Sequence, residues 1–285
     1  MQSSLRIEAK ADDALRDRPD PSGASVTISG LAHRVQGERG DPPLVLANSL
    51  GTDMSMWNPQ APALAQRFRL VRYDHRGQGA SPGPPGPYEI ADLGRDVIAL
   101  LDRLELERVS FCGVSIGGMT GIWLAAHAPE RIDRLVVCCS SAYMPPPSRW
   151  HERAAAVRDA GSVEVVADAV VENWLTPEFA ETHPDVRARL RGMLAASPPD
   201  GYADCCEAIA RMDLRPDLGD VQAPTLVISG EHDKSAPPAE HGAVIADGIP
   251  GARLELVRAA HVANVEQPAA VLDLILDHLE TKEPV

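Results

Sequence analysis

Six short apolar runs, each too brief for a helix, decide most of what this 285-residue chain can become. They fall at residues 43–47, 69–73, 109–112, 135–139, 225–229 and 254–257. Their apolar residues are continuous rather than alternating, which is how parallel strands covered on both faces read. Helical patterns separate several of them. Residues 92–104 place Leu93, Val97, Leu100, Leu101 and Leu104 on one stripe, and 117–127 run in helix formers and small residues up to Pro129. Residues 269–279 follow Pro268, a good first helical residue, with Leu272, Ile275 and Leu279 on one face. Strand alternating with helix predicts an α/β fold: a mostly parallel central sheet, flanking helices and right-handed crossovers.

The alternation lapses between residues 145 and 211. That stretch opens on Pro145-Pro146-Pro147, is punctuated by Trp174, Pro177, Phe179 and Pro198-Pro199, and contains helical segments without a strand. A helical insertion between two sheet strands sits above the strand ends as a cap. The predicted organisation is therefore a polar, charged leader (1–24), a first part of the sheet domain (25–144), the cap (145–211) and a second part of the sheet domain (212–285). A hairpin-like opening at 26–28 and 31–35 begins the sheet domain.

Composition narrows the partners. Lys and Arg number 27 against 41 Asp and Glu, a formal net charge of −14, which argues against nucleic acid and anionic membrane as partners. No stretch approaches the ~18 consecutive apolar residues of a membrane span, and the start does not read as a secretory signal. With 44% apolar residues the chain can bury a substantial core. Five cysteines (Cys112, Cys138, Cys139, Cys205 and Cys206) lack the spacing of a disulfide framework or a zinc site. They read as reduced, buried thiols of a cytoplasmic protein.

The third apolar run leads into Gly113-Val114-Ser115-Ile116-Gly117-Gly118 and then a helical segment. This is G-x-S-x-G in the strand–turn–helix setting of a nucleophile elbow. Ser115 would sit on a strained turn whose neighbours two positions away come too close for side chains. The bare pentapeptide also arises as a small-residue turn that packs a helix on a sheet, so its place after a buried strand carries the argument. Other motifs fail: Gly77-Gln78-Gly79 meets Pro82 where a dinucleotide fingerprint needs glycine, and His151-Glu152 meets Ala155 where a zinc protease needs histidine.

Partners of an elbow serine follow in the order acid, then histidine. The fifth run leads into Gly230-Glu231-His232-Asp233, and Asp233 is the candidate acid with Glu231 as the alternative. The sixth leads into Arg258-Ala259-Ala260-His261, where His261 can take the Ser115 proton and donate its other N–H to Asp233. His75 and His232 compete for the same role. For the oxyanion, one backbone N–H is expected from Ile116 and a second from Leu50 in the loop Asn48-Ser49-Leu50-Gly51.

These residues resemble the α/β-hydrolase superfamily over about 26–280, through Tyr73-Asp74-His75-Arg76-Gly77-Gln78-Gly79-Ala80-Ser81, the elbow, Gly230-Glu231-His232-Asp233 and His261. More narrowly they resemble the 3-oxoadipate enol-lactonases of aromatic catabolism. That level rests on Asn48-Ser49-Leu50-Gly51-Thr52-Asp53, Gly118-Met119 with Trp123, and Trp174-Leu175-Thr176-Pro177-Glu178-Phe179. It also rests on Cys205-Cys206-Glu207-Ala208-Ile209, Met212-Asp213-Leu214-Arg215 and the run from His261 to Pro268. The resemblance implies the α/β-hydrolase fold, a Ser115/Asp233/His261 triad, a small carboxylated lactone as substrate, and neither metal nor organic cofactor. The leader exceeds what such relatives usually carry, and a fused decarboxylase is not expected.

A carboxylated substrate needs a local cation in this acidic chain. Arg149, Arg153, Arg187 and Arg191 of the cap are available, although each also reads as the solvated face of a helix. Trp174 reads equally as a pocket wall or as an anchor of the cap. Two other functions share these features: a carboxylesterase or methyl esterase acting on another small ester, and a non-catalytic ligand-binding protein on the same fold.

Overall fold

Strands form at all six apolar runs, and burial explains the continuity of the inner ones, whereas the strand at Arg253–Val257 on the sheet edge is largely uncovered, with Leu256 51% exposed. The computed structural model describes residues 30–281. The expected leader and the run at 26–28 lie outside the described residues. The strands are β1 (His33–Gln36), β2 (Pro43–Ala47), β3 (Arg69–Tyr73), β4 (Val109–Val114), β5 (Ile132–Cys138), β6 (Thr225–Gly230) and β7 (Arg253–Val257). They pair in the order β1-β3-β2-β4-β5-β6-β7. Every neighbouring pair is parallel except β1 with β3, whose antiparallel register sets His33 against Tyr73. β4 and β6 are buried along their whole length, because helices cover both faces.

The helices of the first half are α1 (Ala61–Leu64), α2 (Ile90–Arg103) and α3 (Ile116–His127). In α2 the apolar stripe at Leu93, Val97, Leu100 and Leu101 turns inward, and a reciprocal pair between Glu89 and Asp92 caps its start. α3 is apolar nearly all round and packs on β4 and β5 in the middle of the fold.

Between β5 and β6 the chain runs through α4 (Pro147–Ala160), α5 (Glu164–Trp174), α6 (Pro177–Thr182), α7 (Pro184–Ala196) and α8 (Pro199–Arg211). Each carries proline in its first turn except α5, which fits proline's preset φ and missing N–H. α4 turns Trp150, Ala154 and Val157 inward and packs on α8. The two ends of this excursion meet: Tyr143 bridges Asp213, and the Leu214 N–H donates to the Ala142 carbonyl at 2.8 Å. Beyond β6 come α9 (Gly242–Gly248), α10 (Ala263–Glu266) and α11 (Pro268–Glu280). All five cysteines are free and buried. Among the described residues, no helix is long and apolar enough to cross a membrane.

Candidate active site

Ser115 stands between the last residue of β4 and the first of α3, with φ 56° and ψ −118°. That conformation is unfavourable for a residue with a side chain, and the surroundings hold it in place. The Ser115 N–H donates to the Cys138 carbonyl at 2.9 Å, and its carbonyl accepts from Ser140 Oγ at 2.7 Å. The turn is tight enough that a Cβ on Gly113 would lie 2.2 Å from the Gly117 carbonyl, and one on Gly117 would lie 2.7 Å from the Ala47 carbonyl oxygen. These are the close approaches expected of an elbow. They leave the Ser115 side chain facing a cavity bounded on the other side by α4, α5 and α8.

Asp233 and His261 meet because the loops after β6 and β7 are laced together. The Glu231 N–H donates to the Val257 carbonyl at 2.8 Å and the His232 N–H to the Ala259 carbonyl at 3.0 Å. Gly230 permits this, since a Cβ there would lie 2.2 Å from the Ala260 carbonyl oxygen. Both side chains are buried. Asp233 Oδ1 accepts the Ser235 and Ala236 N–H groups at 2.8 and 2.9 Å, and its Oδ2 lies 2.8 Å from His261 Nδ1. A carboxylate there fixes the imidazole tautomer with hydrogen on Nδ1, leaving the Nε2 lone pair open. His261 and Ser115 line the same cavity, without a direct hydrogen bond between them. Glu231, the alternative acid, is exposed.

The rival histidines are placed elsewhere. His232 is exposed. His75 is buried, donates from Nε2 to the Asn48 carbonyl at 3.2 Å, and is pushed down to about 4 by burial. It is a neutral prop beneath the loop that carries Leu50. A further prop is Gln78, whose Oε1 accepts the Gly51 N–H at 2.8 Å. Leu50 lines the cavity, and its N–H and that of Ile116 have no protein partner among the described residues. Ile116 opens α3, so its N–H also points out of a helix N-terminus, the positive end of the helix dipole. Cys139 lines the cavity as well, but hydrogen bonding to Cys138 and burial push its thiol well up, so it stays protonated at neutral pH.

Two of the four candidate arginines of the cap face this cavity. Arg149 and Arg153 line it, while Arg191 is bound to Glu164 and Asp168 and Arg187 is exposed. The Arg153 guanidinium lies 4.8 Å from the Trp150 ring centre, and the buried Tyr202 lines the same wall. Neither Arg149 nor Arg153 has a carboxylate partner among the described residues. Burial and the neighbouring Arg153 charge lower Arg149 from its ordinary value. Trp150 lines the same wall, and its Nε1–H is buried with no partner among the described residues. Trp174 lines the cavity, and its carbonyl accepts the Val262 N–H at 3.2 Å, tying α5 to the loop after β7. Sequence reasoning missed Trp150, Gln78 and Tyr202. Among the described residues, no group of three or more His, Cys, Asp or Glu is arranged to hold a metal.

Residues 42–268 match the family described as the alpha/beta hydrolase fold, and the chain belongs to that family. It is a hydrolase acting on carboxylic esters. Its relatives include 3-oxoadipate enol-lactonase 2 of Acinetobacter baylyi, 42% identical over 84% of this chain and 89% of that protein. Another is 3-oxoadipate enol-lactonase 1 of the same organism, 34% identical over 86% of this chain and 91% of that protein. The crystal structure of the enol-lactonase from Burkholderia xenovorans LB400 superposes with a TM-score of 0.86 at 43% identity, covering 88% of this chain and 96% of that one.

Proposed function

We propose that this hydrolase opens a small carboxylated enol-lactone, 3-oxoadipate enol-lactone to 3-oxoadipate, through an acyl-enzyme on Ser115. The observation that carries this reading is one cavity faced by Ser115, His261 and Leu50 on the sheet side and by Arg149, Arg153 and Trp150 on the cap side. The sheet side supplies ester chemistry. The cap side supplies cations and an unpaired indole N–H for a carboxylate. The names of the relatives support the same substrate.

As Ser115 Oγ attacks the lactone carbonyl carbon, His261 Nε2 takes its proton and the N–H groups of Leu50 and Ile116 receive the oxyanion. The ring C–O bond then breaks, and the proton passes from His261 to the departing enol oxygen. That oxygen stays tethered to the acyl chain, and the enol tautomerises to the ketone, which removes the group that would reclose the ring. Water adds to the acyl carbonyl and gives its proton to His261. Release of the acid returns that proton to Ser115. In this reading residues 145–211 form the cap over a sheet domain made of 25–144 and 212–285.

Turnover of the enol-lactone against p-nitrophenyl and methyl esters, in wild type and Ser115→Ala, tests the proposal. The lactone should be preferred, and the variant should fall by more than about a thousandfold. Better turnover of the simple esters would replace the lactone with another small ester. Near-normal activity of Ser115→Ala would overturn the acyl-enzyme.

A further inference from the structure

Both chain neighbours of His261 are tied to the cap, Val262 directly and Ala260 through Glu266. On one side the Val262 N–H donates to the Trp174 carbonyl at 3.2 Å. On the other, the Ala260 N–H donates at 3.0 Å to Glu266 Oε2, which also accepts the Thr176 N–H at 3.2 Å. The second carboxylate oxygen, Oε1, accepts the Thr176 hydroxyl. Thr176 caps the start of α6, accepting the Phe179 N–H at 3.3 Å. Glu266 is 5% exposed and has no cation partner among the described residues. A buried carboxylate carries a desolvation cost that only its hydrogen bonds offset, and here all three donors come from two segments the reaction needs together. One carries the base. The other carries Trp174, a wall of the cavity.

Taking the triad of the proposed function as given, we propose that Glu266 is a positioning residue. It couples the cap segment 174–176 to the His261 loop, so that the imidazole and the Trp174 wall keep one fixed relation. Glutamate suits the task by its shape. Two oxygens on one rigid plane reach Ala260 and Thr176 at once. The charge is not required for this. A glutamine can accept both backbone N–H groups on its oxygen and donate its amide N–H to the Thr176 hydroxyl, which has two lone pairs and so still accepts from Phe179.

The test compares Glu266→Ala, Glu266→Gln and Thr176→Val with wild type in pre-steady-state acylation by p-nitrophenyl acetate. Rates are expressed per site titrated by the burst, so that unfolded enzyme does not count. Small displacements of a catalytic group cost up to about a hundredfold, so Glu266→Ala should lower the acylation rate per titrated site by roughly ten- to a hundredfold. It should also raise the KM for the lactone. Glu266→Gln should restore both to within about threefold, with the acid limb of the kcat/KM profile unmoved. Thr176→Val should show a smaller loss in the same direction, and the Glu266→Ala/Thr176→Val double variant should be no worse than Glu266→Ala alone.

A folded Glu266→Ala protein that acylates at the wild-type rate would reduce Glu266 to a stabilising role and overturn the inference. Glutamine failing as badly as alanine would overturn it too, by making the charge essential. Should Glu266→Ala not fold, Thr176→Val acylating at the wild-type rate has the same consequence. Failure of the underlying triad looks different: wild type then gives no burst, or Ser115→Ala keeps one.

Discussion

Replacing Asp233 with asparagine changes one atom of the site and leaves its shape intact, which makes it a sharp test of the proposed triad. Asp233 Oδ1 holds two backbone N–H groups, of Ser235 and Ala236, so the amide oxygen of asparagine must take that position. The amide nitrogen then faces His261 Nδ1, where Oδ2 now stands at 2.8 Å. Two donors cannot share that contact, so the imidazole moves its hydrogen to Nε2 and presents a donor to Ser115 where a base is needed. Leaving both backbone donors unsatisfied instead would cost about 1–3 kcal/mol each, so flipping the amide is no escape. Serine hydrolases with the wrong tautomer lose about 10⁴ in kcat, or about 5.5 kcal/mol of transition-state stabilisation. Steady-state kinetics on the lactone should therefore show a fall of that order in kcat with KM little changed. Thermal unfolding should move by only a few degrees. The same loss should appear in acylation by p-nitrophenyl acetate, since the base serves both substrates. Turnover above a tenth of wild type would refute the reasoning, and would return attention to Glu231 despite its exposure.

The substrate cation and the acid limb of stability give two further expectations. Arg153→Met removes a charge-assisted contact of about 1.5–3 kcal/mol, so kcat/KM for the carboxylated lactone should fall roughly ten- to a hundredfold. A neutral methyl ester should be affected by less than about threefold, and an equal loss on both substrates would mean that Arg153 only shapes the cap. Burial holds His75 and His278 at about 4 against an ordinary 6.5, so the unfolded chain binds the proton more readily. Their contribution is complete above about pH 6.5 and is lost as pH falls towards 4, by up to about 3 kcal/mol each. Burial raises Asp74, which acts in the opposite sense and trims the net loss. Urea midpoints between pH 7 and pH 4.5 should fall accordingly, and His278→Gln should flatten the slope. An unchanged slope would show that His278 does not resist protonation.

The strands and the elbow were legible because their signals are local. A buried parallel strand must be apolar along its length, as β4 and β6 are, and the Ser115 turn needs glycine at 113 and 117 for reasons of contact alone. The order of Asp233 and His261 was equally readable. Their contact followed from that order, but the lacing between the loops after β6 and β7 that brings them to 2.8 Å did not, because it pairs backbone groups and leaves no trace in side-chain type. α9 was missed for a related reason: Gly242–Gly248 is short, begins and ends in glycine, and carries only Ile245 as a buried large apolar residue. The sorting of the cap arginines lay furthest from the sequence. Arg149, Arg153, Arg187 and Arg191 share composition and helix context, and only the packing of α4 on α8 turns the first two towards Ser115. Trp150 was hidden in the same way, since its role depends on an indole N–H left without a partner once the wall closes.

The acidic balance of the chain gains a different meaning from this arrangement. At −14 the molecule as a whole repels a carboxylated substrate, yet salt screens exposed charge beyond about 8 Å, so the potential that matters is the one inside the cavity. Several arginines are neutralised where they stand: Arg76 by buried Asp96, Arg158 by Asp204 and Glu207, Arg211 by Glu207 and Arg215 by Asp213. Arg149 and Arg153 differ from these in having no carboxylate partner among the described residues while lining the cavity, and they stand close enough for Arg153 to lower Arg149. Two like charges kept together at a partly buried wall destabilise an empty cavity and are relieved when an anion enters. A neutral ester gives no such relief. On the proposed function, the pair would favour a carboxylated substrate through what it costs the unliganded enzyme, and removing Arg153 should relax Arg149 towards its ordinary value as it weakens binding of the lactone.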